Sequence, residues 1–344
     1  MGSAASPLSS YRAPAWLPGG HLQTLYAALL APRPRPQYRR ERWETPDGDF
    51  VDVDWLQTPS AVSREPSAGK RHAKNAHDAH QPLVVLFHGL EGCSASHYAH
   101  AVMSEVSAIG WQGAVVHFRG CSGSPNRLAR AYHSGDSAEL DWMLRRLRAE
   151  RSGPLYAVGV SLGGNVLLKW LGEHRSAAAD IVSATAAVSA PVDLTAAGNA
   201  LGRGFNLVYT SAFLRTLKRK SLAKLERHAK LYDAARVRRA RTLRAFDNVV
   251  TAPLHGFRDT DDYWHRASSK PMLRHISVPT LMLNARNDPF LPEQALPSAE
   301  EVSGFVTRDF PGEGGHVGFV SGAFPGQLRW MPQRILTFLG HRGC

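Results

Sequence analysis

The pentapeptide Gly159-Val160-Ser161-Leu162-Gly163 directly follows the apolar run LYAV and precedes a helix-like stretch carrying Val166, Leu167, Leu168, Trp170 and Leu171. A strand-to-helix turn this tight pushes its central serine out as a nucleophile, and the positions two before and two after it must lack bulk. The pattern is short, and the Gly and Ser content of the chain gives roughly 0.2 chance matches. Its placement between an apolar strand and an apolar helix is what makes it specific. A serine hydroxyl needs a base to take its proton. Among sixteen histidines, His316 stands in GEGGHVGF after the last predicted strand, where a glycine-rich loop can bring an imidazole over the turn. His88, before Gly89 at the end of LVVLF, reads as a turn former, and His133 in AYHSGD as a cap or orienting group.

An imidazole base needs a carboxylate to fix its tautomer and to stabilise the imidazolium. Asp288 in NARNDPF, after the run VPTLML, is the first choice, and Asp193, after Ala190-Pro191, is the rival. Asp259, Asp261 and Asp262 read as charges at a helix N-terminus. Acyl transfer also needs two backbone N–H groups aimed at the oxygen that becomes negative, each contributing roughly 3 kcal/mol. Leu162, next to the nucleophile, supplies one. Leu90, in His88-Gly89-Leu90-Glu91-Gly92, supplies the other. Gly89, Gly159 and Gly163 are the glycines this arrangement requires.

These groups need a scaffold. From Leu83 the chain alternates short β-branched runs with helix-length segments: LVVLF, a helix at 96–109, GAVVHF, a helix at 135–150, LYAVGV, a helix at 162–173, then IVSATAAVSA. Such alternation means βαβ units and a parallel sheet. The pattern breaks after Pro191 and resumes at VPTLML, GFVTRDF and a last helix near 325–339, so about 75 residues interrupt an α/β core. Ahead of it, RRERWET and FVDVDWLQ flank an Asp-Gly turn and predict a hairpin. The first forty residues, Pro-rich, predict an irregular extended arm. Residues 58–82 hold almost nothing to bury and predict an exposed loop, whose His72, His77 and His80 read as solvated rather than metal-binding.

The 344 residues, 43% hydrophobic and 20% charged, argue against wholesale disorder and against a coiled coil. Three cysteines (Cys93, Cys121, Cys344) make no disulfide framework, and a reducing compartment fits. No apolar run approaches the roughly 20 residues of a membrane span, and the start has no signal-peptide pattern. A cytoplasmic protein is expected. Net charge is +12, and residues 215–244 alone hold 12 Lys and Arg against 2 acidic residues. Such a patch suits nucleic acid, an anionic membrane or an acidic ligand. Leu214, Leu217, Leu225, Ala229 and Tyr232 fall on one helical face, and Arg215, Lys218, Arg219, Lys220, Lys224 and Arg227 largely off it. A helix with its basic side outward is therefore expected.

Several motifs together resemble the α/β-hydrolase fold and, more narrowly, the YheT-like (α/β-hydrolase-4) hydrolases. They are the arm Trp16-Leu17-Pro18-Gly19-Gly20-His21-Leu22-Gln23-Thr24-Leu25, HGLEG at 88–92, FRGCSG at 118–123, and Gly256-Phe257, Asp262-Tyr263 and Asn287-Asp288. The resemblance spans nearly the whole chain. It implies a mostly parallel central sheet flanked by helices with a helical cap insertion, and Ser161, Asp288 and His316 as nucleophile, acid and base. It also implies ester hydrolysis, with lipid esters and acyl transfer among the family's reactions. The chain departs from the family at Cys93, where serine is usual, and at His117, where asparagine is usual.

The reading is a serine esterase acting on short- to medium-chain or lipid esters without metal or organic cofactor. An acyltransferase or phospholipase of the same fold is the alternative, and a catalytically silent binding protein using the basic segment is the second. The expected organisation is an arm and hairpin at 1–57, a flexible loop at 58–82, a first core half at 83–192, a helical basic cap at 193–270 and a second core half at 271–344. Peripheral contact with anionic membrane through residues 215–244 is expected, and nucleic acid is not.

Overall fold

The computed structural model describes residues 11–57 and 80–341. His72, His77, Cys344 and most of the expected 58–82 loop lie outside them. The described residues form eight strands: β1 (Tyr38–Glu44), β2 (Phe50–Leu56), β3 (Leu83–Phe87), β4 (Gln112–Val116), β5 (Leu155–Val160), β6 (Ala184–Val188), β7 (Thr280–Leu283) and β8 (Val306–Asp309). They form one sheet in the order β1-β2-β4-β3-β5-β6-β7-β8. β1 and β2 make the expected hairpin, and β2 joins β4 antiparallel. Every other neighbouring pair is parallel. Side chains alternate across the sheet as a period of two requires. In β3, Leu83, Val85 and Phe87 enter one apolar cluster, Val84 and Leu86 the other.

The arm is not irregular throughout, as the sequence suggested. It contains a helix, α1 (Gly20–Leu29). Its buried face is Gln23, Thr24 and Ala27, while Leu22, Leu29 and Leu30 are 53–71% exposed. The usual apolar signal is thus inverted, and helical periodicity in hydrophobicity is what a sequence reading relies on.

Four long helices cover the sheet. α2 (His97–Ala108) contributes Val102 and Met103 to the cluster of Val84 and Leu86. α3 (Ser137–Ala149) and α4 (Leu162–His174) place Leu140, Met143, Leu167 and Trp170 against Val85 and Phe87. Between β6 and β7 the chain forms α5 (Leu194–Leu201), α6 (Leu207–Arg227), α7 (Ala234–Arg239), α8 (Leu243–Val249), α9 (Thr251–Leu254) and α10 (Thr260–Ala267). These cap helices have a small core of their own around Leu214, Val237, Phe246 and Val250. The last helix, α11 (Trp330–His341), adds Ile335 and Phe338 to the α2 side.

The outward basic face expected of the cap helix is only partly there. Ala229 and Tyr232 lie beyond the end of α6 at Arg227, although Tyr232 packs beside the same small core. Lys224 is 8% exposed and Lys220 also points inward, because loops distant in sequence offer them acceptors. Arg215 and Arg219 do face outward. Asp193 caps α5, accepting from the Ala196 N–H, and Asp259 caps α10 in the same way through Asp262 N–H. No helix among the described residues is long and apolar enough to cross a membrane.

Candidate active site

β5 ends at Val160, and Ser161 follows with φ 52° and ψ −120° before α4 begins at Leu162. A non-glycine residue in that region stores backbone strain of roughly 1–3 kcal/mol, held by the elements on both sides. The turn is too tight for side chains at its flanks. A Cβ on Gly159 would sit 2.5 Å from the Gly163 carbonyl oxygen, and one on Gly163 would sit 2.3 Å from that of Phe87. The Ser161 N–H is fixed by the Val188 carbonyl of β6.

Parallel register brings the carboxyl ends of β3, β5 and β7 to one edge, the place where open α/β sheets build their sites. Asp288 follows β7 and His316 follows β8. His316 Nε2 lies 3.0 Å from Ser161 Oγ, and its Nδ1 lies 2.9 and 3.1 Å from the two Asp288 oxygens. A carboxylate only accepts, so Nδ1 carries the proton and Nε2 is free to accept from the serine. Asp288 and His316 are 4% and 9% exposed. The Phe290 ring stacks on the imidazole at 4.0 Å, and the Phe290 N–H donates to Asp288. The rival Asp193 is committed to its helix cap.

The loop bearing His316 is tied down by residues that sequence reasoning passed over. The His316 N–H donates to Thr24 Oγ1 on α1 at 2.8 Å. Gln23 Oε1 accepts from Gly314 N–H and from Asn287 Nδ2, and Asn287 Oδ1 accepts from Gly315 N–H. Ser189 Oγ accepts from Val317 N–H, and His97 Nε2 donates to the Val317 carbonyl. Burial pushes His97 down to about 4, so it stays a neutral donor. The one available signal for α1 was the Trp16–Leu25 motif.

The 88–92 loop faces Ser161 from β3. A Cβ on Gly89 would lie 3.0 Å from the Ser161 Cβ. His88 is the expected turn former: its Nδ1 donates to the Gly89 carbonyl at 2.8 Å and its Nε2 accepts from Phe118 N–H. Burial pushes it down to about 3, so it is neutral. The Gly89 carbonyl also accepts from Gly92 N–H. A trans peptide is planar, so fixing that carbonyl turns the Leu90 N–H the opposite way. Among the described residues neither the Leu90 nor the Leu162 N–H has an acceptor.

Ser161 opens into a cavity of about 670 Å³ roofed by the cap helices. Leu201, Phe213, Phe246 and Trp264 make an apolar wall, and His133 and Lys224 lie on a polar one. His133 packs on His255 and Tyr263, and its Nδ1 accepts from Gly135 N–H. Among the described residues no group of three or more His, Cys, Asp or Glu side chains is placed to hold a metal. His80, the described member of the loop histidines, bonds Ser152 Oγ.

The family model described as the alpha/beta hydrolase fold matches residues 82–323. The YheT protein of Escherichia coli K12, provisionally named an esterase, is 37% identical over 94% of this chain and 92% of its own. The chain belongs to the α/β-hydrolase family. Within it, the chain falls in the YheT-like branch expected from its motifs. This hydrolase is also similar to the human phospholipase ABHD3, 28% identical over 96% of this chain and 78% of the relative. A monoacylglycerol lipase of Saccharomyces cerevisiae is 26% identical over 94% and 78%. Among solved structures, the esterase Pf2001 of Pyrococcus furiosus superposes with a TM-score of 0.53 at 15% identity, covering 90% of this chain and 94% of that one. That likeness concerns the fold.

Proposed function

We propose that this α/β hydrolase is a serine esterase that cleaves carboxylic esters through an acyl-enzyme on Ser161. The observation that carries the reading is the hydrogen-bonded series Ser161 Oγ, His316 Nε2, His316 Nδ1, Asp288, at 3.0 and 2.9 Å, on a strained turn. In this mechanism His316 takes the Ser161 proton as the oxygen attacks the ester carbonyl. Asp288 stabilises the imidazolium, and the Leu90 and Leu162 N–H groups receive the developing oxyanion. His316 then protonates the leaving alcohol. Water, deprotonated by the same imidazole, releases the acid. No metal or organic cofactor enters these steps.

The cavity size suits a short- to medium-chain acyl group or a small lipid ester, and the relatives named as lipases and phospholipase support a lipid-like substrate. A panel of esters of graded chain length tests the reading. Hydrolysis by the wild type, reduced about 10³-fold or more in Ser161→Ala, is expected. Near-wild-type turnover by that variant overturns it. Added alcohol that diverts the acyl group from water would mark acyl transfer instead.

We also propose peripheral docking on anionic membranes, in the cytoplasm, through the basic part of the cap. Lys220 and Lys224 are turned inward, so the surface rests on Arg215, Arg219, Arg236, Arg238 and Arg239, which are exposed. Each cation near such a surface contributes about 1 kcal/mol. Cosedimentation with anionic but not neutral liposomes, weakened by salt and by Arg215→Glu with Arg219→Glu, is expected. Equal, negligible binding to both overturns it.

A further inference from the structure

Glu91, one residue past the proposed oxyanion donor Leu90, adopts φ 56°, a left-handed conformation that a residue with a side chain keeps only when its surroundings impose it. Three contacts impose it. Tyr132 OH accepts from the Glu91 N–H at 2.9 Å and donates to the Glu91 carboxylate at 2.8 Å. Lys220 Nζ, from cap helix α6, lies 2.9 and 3.0 Å from the two carboxylate oxygens. The carboxylate side chain is 7% exposed, and Lys220 is its only cationic partner among the described residues. The thiol of Cys121, 3.6 Å from the same ammonium, is pushed up to about 12 by burial and stays neutral. The charge of Lys220 is therefore spent on Glu91.

The chain of contacts continues to the catalytic edge. The Tyr132 ring stacks on Phe118 at 5.5 Å, the Phe118 ring packs edge-on to His88, and His88 holds the Gly89 carbonyl. The peptide that presents Leu90 N–H is thus clamped from both ends: by His88 at Gly89 and by Tyr132 and Lys220 at Glu91. Lys224, one turn further along α6, anchors the helix separately by donating to Asn126 Oδ1 and to the Leu128 and Arg130 carbonyls. Removing Lys220 alone leaves that anchor in place.

We propose that Lys220 is a positioning residue: from the cap it holds Glu91, and through Glu91 it sets the Leu90 N–H that receives the oxyanion. The cap is thereby part of the catalytic frame as well as the roof of the cavity. The inference rests on the serine-esterase reading above. A misaimed donor weakens the transition state more than substrate binding, so kcat falls while KM holds.

The test uses the full chain, the best ester of the panel and a fluorophosphonate, whose addition to serine also builds negative oxygen beside the same N–H groups. Lys220→Met should lower kcat about tenfold and slow phosphonylation in parallel, with KM within about twofold of wild type. Lys220→Arg, which can still pair with Glu91, should recover most of the loss. Tyr132→Phe, which removes one hydroxyl from a buried ring, should repeat the pattern and serves if Lys220→Met folds poorly. A raised KM with unchanged kcat in Lys220→Met would make Lys220 a cavity-lining residue and overturn the proposal, as would unchanged kinetics in both variants. A wild-type protein inert to every ester and to the fluorophosphonate would overturn the esterase reading first, and this inference with it.

Discussion

Two helices outside the sheet, α1 and α6, each send polar side chains in toward Ser161, and they do so with different chemistry. From α1 come Gln23, fully buried, and Thr24, 6% exposed, both neutral. They bond the loops of His316 and Asp288. From α6 come two ammonium groups, Lys220 and Lys224, which bond the loops at 91 and at 126–130. In the proposed mechanism the first side of the site must develop a positive imidazolium and the second a negative oxyanion. A cation facing His316 would oppose the first, whereas Lys220 is paired with the Glu91 carboxylate and serves the second by fixing the loop of Leu90 rather than by a free charge. α1 thus holds its loops with neutral hydrogen bonds, and α6 holds its loops with ammonium groups whose partners are the Glu91 carboxylate and uncharged oxygens at 126–130.

Breaking the His316 side at its acid should give the largest effect. Asp288→Asn should lower kcat by about 10³–10⁴-fold with the fold intact, because the amide favours the wrong imidazole tautomer. Asp193→Asn should cost little activity, since it serves only as a helix cap. Steady-state kinetics on the two variants checks this, and a reversed order would move the acid to the strand before the cap.

A smaller loss should follow from the α1 contacts. Gln23→Ala leaves Gly314 N–H and Asn287 Nδ2 without their acceptor. Each unpaired buried donor costs about 1–3 kcal/mol, so the melting temperature should fall, and kcat should drop about tenfold as the His316 loop loosens. Thr24→Val should act likewise through His316 N–H. On the α6 side, Lys220→Met leaves the buried Glu91 carboxylate without its cation and should lower melting temperature as well as kcat, while Lys220→Arg should restore both. Thermal melts run beside kinetics check both losses and the rescue by arginine.

The smallest effect on kcat comes from groups that act instead on the pH dependence of stability. His88, His97 and His255 are depressed by burial to about 3, 4 and 3. The unfolded chain takes up these protons below about 6.5 and the folded chain does not, so stability is full above about 6.5 and is lost as pH falls toward 4 and 3. Melting temperature should drop steadily on acidification through that window. His97→Gln, which keeps a donor for the Val317 carbonyl, should make the drop shallower; an unchanged slope would mean that His97 protonates in the fold.

How legible each part was in the sequence follows from what holds it together. The turn at Ser161 was readable because its marks lie in adjacent residues: Gly159, where a Cβ would strike the turn's own backbone, Gly163, where it would strike Phe87 of β3, and an apolar strand and helix on either side. The sheet was readable from the period and spacing of its strands. Asp288 and His316 could be placed by chain order after β7 and β8, and His88 by its position at a strand end. α1 was not readable, since it hides amide and hydroxyl groups and leaves leucines outside. The inward turn of Lys220 and Lys224 was not readable either. Helical periodicity separates apolar from polar positions but does not reveal that Glu91 and Asn126, about a hundred residues earlier, provide buried partners.

The central claim, that Ser161 is the nucleophile of a covalent mechanism, is tested most directly by trapping it. Wild-type protein treated with a fluorophosphonate and digested should carry one phosphonyl group on the peptide containing Ser161, and ester turnover should vanish in step with labelling. The Ser161→Ala protein should remain unlabelled and the Asp288→Asn protein should label far more slowly. Stoichiometric labelling of another residue, or full ester turnover in a protein whose Ser161 is blocked, would contradict the account.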